Sequence, residues 1–344
     1  MKELKSVQDV KDFNVEEGRI LHSAAHEEIF NGVTSDVYFV RTRELLSHVG
    51  KENAQVTAEV FCSRSGVIAG VDEVVNLLKK RDVSLWALPE GEEMKEKEVV
   101  LRIKGSYDQF GVYETPLLGM LASASGWATA GRDCKIAAGE KPVFAFGSRH
   151  VHPAVAPVME RAAVIGGVKN GSCILGAKLL GRDPIGTIPH AAILIIGDTV
   201  ETGLIYDKIM PEDSPRIVLV DTFKDEAEET LRVAEALKEK LAGVRLDTPS
   251  ERGGVTPGLV REVRARLDRS GYNHVQIFVS GGVKPERILE LDEAGADAFG
   301  VGSYIAGANP IDMTMDIKEV EGRPIAKRGR IPGIVENPRL KHYL

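Results

Sequence analysis

At 344 residues, with 43% hydrophobic and 28% charged side chains, the chain can bury a sizeable core and suits one large α/β domain or a barrel with a smaller companion. Its net charge of −7 argues against a general nucleic-acid binder, which would be basic. Cys62, Cys134 and Cys173 stand far apart without a C-x-x-C pair, which predicts neither a zinc site nor a disulfide framework and fits a reducing compartment. No apolar run approaches the roughly 20 residues that span a membrane, and the charged amino terminus has no signal-peptide core, so a cytoplasmic protein is expected.

Residues 22–50 are mixed in character and predict helices on either side of a turn at Asn31-Gly32. "AQVTAEVFC" (54–62) reads as a strand from its β-branched residues. "VDEVVNLLKKR" (71–81) has apolar positions at helical spacing, and "VSLWALP" and "EVVLRIKG" follow as strands. The acidic "EGEEMKEKE" between those two reads as an exposed loop. These elements predict a small α+β domain over 1–115, joined by the carboxyl-terminal segment 311–344. The basic tail from Lys327 is either a solvated face or a phosphate contact.

From Pro116 the character changes. "LLGMLASASGWATAG" predicts a long small-residue helix suited to close packing. Then short apolar strands alternate with amphipathic helices: "PVFAFG", "IVLVDT", "AGVRLD", "VQIFVSGG" and "ADAFGVGS". Such alternation predicts parallel βαβ units with right-handed crossovers. "GGVKNGSCILG" and "GTIPHAAIL" read either as strands or as turns leading into helices. The expected architecture over 116–310 is a β/α barrel, complete or short of eight strands, with a doubly wound sheet as the alternative.

Ligands of such folds bind where strands end and helices begin. "FAFGSRHVHP" places Arg149, His150 and His152 directly behind a strand expected over 143–146, with Pro153 expected to open the next helix. "VQIFVSGGVKPERILELDEAGADAFGVGSYI" carries two late glycine turns, Ser280-Gly281-Gly282 and Gly300-Val301-Gly302. Their backbone N–H groups suit a phosphate. Asp221, Arg245 and Asp247 stand at other strand ends; Arg245 and Asp247 flank Leu246 and face one way on an extended segment. The carboxylates suit ribose hydroxyls or Mg²⁺, and arginine suits phosphate or carboxylate, with simple inter-loop salt bridges as the plainer reading. His190 begins a helix after Pro189. Together these residues describe a polyanion site fitted to a phosphoribosyl compound.

These motifs resemble the nicotinate phosphoribosyltransferase family in its compact archaeal-type form, within the type II phosphoribosyltransferases. The resemblance rests on "NGVTSDVYF", "YETPLLGMLASAS", "FGSRHVHP", "GGVKNGSC", "GTIPHA", "VDT", "RLDTPSERGG", "VSGG" and "FGVGS", in that order. It implies phosphoribosyl transfer from phosphoribosyl pyrophosphate to nicotinate, forming nicotinate mononucleotide and pyrophosphate in NAD salvage. Mg²⁺ and ATP coupling through a phosphohistidine at His190 are implied with it. Phe146 would stack on the pyridine ring, and Tyr38 from a second chain would cover its other face, which implies an active site shared within a homo-oligomer. Arg149 and Arg245 would bind the nicotinate carboxylate or pyrophosphate, and Ser172 the ring substituent. Asp221 and Asp247 would hold ribose or Mg²⁺ without a protein-only metal cage, and Ser280, Gly281, Gly282, Gly300 and Gly302 the 5′-phosphate. Some archaeal-type members carry a cysteine-rich extension; with no cysteine after Cys173, no zinc is expected. Quinolinate or nicotinamide phosphoribosyltransferase, or a non-catalytic nucleotide-binding protein on the same fold, are the alternatives. Neither nucleic acid nor membrane is expected as a partner.

Overall fold

The computed structural model describes residues 3–344; Met1 and Lys2, part of the domain expected over 1–115, lie outside the described residues. The chain divides into two compact units. One takes the sequence up to Thr129 and again from Asn309 to Leu344, and the other runs from Ala130 to Ala308. The division falls inside one helix, Glu114–Ala138, rather than at 115/116. Pro116 does not break that helix because it lies in the first turn, where a missing N–H goes unused. The small residues allow close approach: a Cβ on Gly126 would sit 2.5 Å from the Asn309 carbonyl oxygen, and one on Gly131 would sit 2.7 Å from that of Ala163.

The first unit is built on an antiparallel sheet in the order Arg323–Pro324, Met313–Val320, Gln55–Cys62, Val99–Ser106, Val83–Ala87 and Lys341–His342. Val56, Ala58, Val60 and Cys62 alternate along the central strand and enter a core shared with helix Val71–Leu78, which buries Val71, Val74, Leu77 and Leu78. The acidic stretch expected as a loop pairs Glu93–Met94 with Gly66–Val67 and buries Met94, because a single apolar side chain there reaches the core. The basic tail is folded down by ion pairs, Lys327 and Arg330 on Asp316 and Arg339 on Glu92 and Glu98. Among the described residues, no helix is long and apolar enough to cross a membrane.

The second unit is an incomplete β/α barrel of six parallel strands, in the order Asn170–Gly171, Val143–Ala145, Ala298–Val301, Gln276–Val279, Leu241–Leu246 and Arg216–Leu219. Their apolar runs are buried on both faces, as parallel strands under helices must be: Val143, Ala145, Val218, Leu219, Val244, Leu246 and Ile277 are essentially inaccessible. Residues 172–215 supply three helices, Ile174–Leu179, His190–Ile196 and Thr199–Ile209, and no strand, so the two outermost strands are not joined. Thus "GGVKNGSC" contributes a two-residue strand, whereas "GTIPHAAIL" is a loop and a helix start. The helix expected at Pro153 begins instead at Ala156, because residues 153–155 form a separate turn ahead of it. His152 opens the turn that leads into this helix: its Nδ1 accepts from the Ala154 N–H at 3.1 Å and its carbonyl from the Val155 N–H at 2.9 Å.

Candidate active site

The strand expected over 143–146 ends at Ala145, and Phe146 sits at its tip with its N–H bonded to the Val301 carbonyl at 2.8 Å. Gly300, on the neighbouring strand, is required by that ring. A Cβ there would lie 2.5 Å from both Cδ2 and Cε2 of Phe146, so any other residue would displace the aromatic face. From a strand three places along the sheet, the Arg245 guanidinium carbon reaches to 5.9 Å from the Phe146 ring centroid.

Arg245 and Asp247 do face one way, with buried Leu246 between them. Arg245 Nη2 bonds Asp247 Oδ2 at 3.1 Å, and Nη1 donates to Thr187 Oγ1 at 2.6 Å. The other oxygen of Asp247 accepts from Ser280 Oγ at 2.8 Å. This folds the first late glycine turn over the carboxylate: Gly281 adopts φ +84, and a Cβ there would stand 3.1 Å from Asp247 Oδ1. Gly282, at φ +65, has nothing within 4 Å of its Cβ position and leaves open space. At the second turn, a Cβ on Gly302 would meet His150 Nε2 at 3.1 Å. Both glycine turns therefore lie at the same end of the barrel as Phe146.

His190 opens its helix, and its Nε2 is 3.0 Å from Asp221 Oδ2; the histidine side chain is 38% exposed and the aspartate 1%. Burial pushes the Asp221 carboxyl above the usual range, His190 opposes that, and the nearby Asp247 charge adds to it. Three buried polar atoms on neighbouring strand ends have no hydrogen-bond partner: Asp221 Oδ1, Thr222 Oγ1 and Arg245 Nε. Buried polar atoms are normally paired, so a water or a ligand is left to complete this network. The two aspartates are hard oxygen donors that fit Mg²⁺. Among the described residues no group of three or more His, Cys, Asp or Glu is disposed to hold a metal, so substrate oxygens would have to complete the shell.

Of the residues singled out from sequence, Phe146, His190, Asp221, Arg245, Asp247, Ser280, Gly281, Gly282, Gly300 and Gly302 come together at the carboxyl ends of the strands. Arg149 is exposed beside them and makes no hydrogen bond or ion pair among the described residues. Ser172 emerges at the same end, its hydroxyl donating to Glu160 at 3.1 Å. Tyr38 belongs to the other unit, on helix Val37–His48, with 54% of its surface exposed. Sequence reading gave Thr187 and Thr222 no role, although both lie in the motifs "GTIPHA" and "VDT", and it missed Glu160, the one acid in the helix segment "APVMERAAVIG".

Two consecutive domains of one family account for most of the chain. The quinolinate phosphoribosyl transferase N-terminal domain matches residues 36–125, and the C-terminal domain of the same enzyme matches 127–316. The chain belongs to the quinolinate phosphoribosyl transferase family. A crystal structure of nicotinate-nucleotide pyrophosphorylase from Pyrococcus furiosus is 48% identical, with a TM-score of 0.87 over 92% of this chain and 82% of that one. Nicotinate phosphoribosyltransferase pncB1 of Mycobacterium tuberculosis is 28% identical over 341 residues, 86% of this chain and 74% of its own. A probable carboxylating nicotinate-nucleotide pyrophosphorylase of Methanothermobacter thermautotrophicus is 24% identical over 277 residues, 77% of this chain and 89% of its own. Membership assigns the general chemistry: phosphoribosyl transfer to a pyridine carboxylate in pyridine-nucleotide biosynthesis.

Proposed function

We propose that this protein transfers the phosphoribosyl group of phosphoribosyl pyrophosphate to nicotinate, giving nicotinate mononucleotide and pyrophosphate. The observation that carries the reading is the sparse positive charge around Phe146. The Arg245 guanidinium lies 5.9 Å from the ring centroid, Arg149 is exposed three residues further along the chain, and the hydroxyl of Ser172 leads back to a buried acid, Glu160. One carboxylate on a flat ring matches that charge. A quinolinate pocket must hold two carboxylates and would need a denser set of cations.

In the transfer, the ring nitrogen attacks C1′ of the ribose as the bond to pyrophosphate breaks; the electron pair leaves with the pyrophosphate and no proton moves. Charge grows on the leaving group, where Arg245, held in place by Thr187 and Asp247, stabilises it. Asp221 Oδ1 and Asp247 would hold ribose hydroxyls or Mg²⁺, which neutralises pyrophosphate charge when bound. The glycine turns at Ser280 and Gly300 would take the 5′-phosphate. Coupling to ATP would use His190: with Nε2 bound to Asp221, the other ring nitrogen carries the lone pair that can accept a phosphoryl group. Tyr38 from a second copy would close over the ring.

The test mixes protein, Mg²⁺ and phosphoribosyl pyrophosphate with nicotinate, nicotinamide or quinolinate and follows mononucleotide by chromatography. Product from nicotinate is expected; product only from another acceptor, or none, overturns the proposal.

A further inference from the structure

Glu160 takes no part in the transfer described above, yet its surroundings are specific. It occupies helix Ala156–Gly166, whose other inward residues Ala156, Met159, Ala162 and Ala163 are apolar, and it is itself only 1% exposed. A carboxylate is tolerated in such company only when donors surround it. Three do so here: Ser148 Oγ at 2.6 Å and Ser172 Oγ at 3.1 Å donate to Oε1, and the Cys173 N–H donates to Oε2 at 2.7 Å. Ser148 follows strand Val143–Ala145, and Ser172 and Cys173 follow strand Asn170–Gly171, so one buried acid ties together two neighbouring site loops. A Cβ at Gly171 would stand 2.1 Å from Oε2. Glycine at 171 and glutamate at 160 are therefore a matched pair, the acid filling the space a side chain would occupy.

Ala145 pairs in register with Gly171, so the next residues, Phe146 and Ser172, leave the sheet side by side. A hydroxyl whose proton is directed to a carboxylate offers only lone pairs elsewhere. Beside the ring-stacking residue the chain thus presents oxygen lone pairs backed by a negative charge. We infer that Glu160 limits the acceptor ring to a single carboxyl group: acting through Ser148 and Ser172, it makes the pocket wall beside Phe146 repel a second one. Glu160 is a positioning residue here, touching the ligand only through these hydroxyls. The inference rests on the proposed pyridine monocarboxylate reading.

The experiment compares the inhibition constant of quinolinate with the KM for nicotinate in wild-type protein, Glu160→Gln and Ser172→Ala. Glutamine keeps the volume but removes the charge, and Ser172→Ala removes a relay without touching the helix, should Glu160→Gln fail to fold. The ratio of quinolinate inhibition constant to nicotinate KM is expected to fall by about tenfold in both variants, the scale of one like-charge contact. A purely structural Glu160 would lower stability or kcat but leave that ratio alone. Wild-type protein that uses quinolinate as readily as nicotinate overturns both the function reading and this inference. Wild-type selectivity that persists undiminished in every folded variant overturns the inference alone.

Discussion

Asp221 binds His190 Nε2 at 3.0 Å through one carboxylate oxygen, while its other oxygen is buried without any partner. The aspartate thus fixes the histidine ring and retains an acceptor for substrate. If His190 carries a phosphoryl group, His190→Ala should abolish ATP stimulation and leave a residual ATP-independent transfer. Stimulation that survives in the variant would show that the pair is structural.

Arg245 is anchored at both terminal nitrogens, and its buried Nε still lacks an acceptor. Arg245→Ala should therefore lower kcat by about 10²–10³-fold, the usual cost of deleting one preorganised charge partner in a transition state. Thermal denaturation of the same variant separates lost catalysis from lost folding. Near-normal turnover would remove Arg245 from the chemistry.

Gly300 tests the stacking surface without altering any polar group. Its Cβ would collide with the Phe146 ring at 2.5 Å, so Gly300→Ala must turn the ring or shift the strand. A displacement near 1 Å predicts a drop in kcat/KM on the order of 10²-fold. Overpacking should cost about 1–3 kcal/mol of stability, readable as a lower thermal midpoint. Unaltered kinetics would mean that Phe146 does not orient the acceptor.

Glu114, in the first unit, has its carboxyl raised to about 7, first by burial and then by the Asp316 and Asp36 charges, with Lys327 opposing. A carboxyl raised on folding stabilises fully below its unfolded value near 4.5, and that contribution is lost as pH climbs through about 7. Stability should fall between about pH 5 and pH 8 by on the order of 1 kcal/mol after allowing for partial exposure, readable as a lower thermal midpoint. Glu114→Gln should flatten the fall. An equal slope in wild type and variant would assign it to other groups.

If Tyr38 serves the site of a second copy, Tyr38→Ala and Arg245→Ala proteins should each be weak alone. Mixed and allowed to exchange subunits, they should regain activity, since some sites would then hold both native residues. Failure to complement, or a fully active monomer in sedimentation, would contradict a shared site.

Much of this protein was legible from local pattern. Short apolar runs closed by glycine give parallel strands because side chains buried on both faces cannot alternate with polar ones, and the polar residues just beyond each run fall at the strand ends. That pattern puts Phe146, Asp221, Arg245, Asp247 and Ser280 at one end of a barrel. What sequence alone left open depends on distance in space. Whether "GTIPHAAIL" was a strand, where the units divide within one helix, and that Glu160 reaches from its helix to Ser148 and Ser172 are all decided by packing between segments far apart in the chain. Periodicity reports which face of an element is buried, but only the assembled barrel determines what that face is buried against.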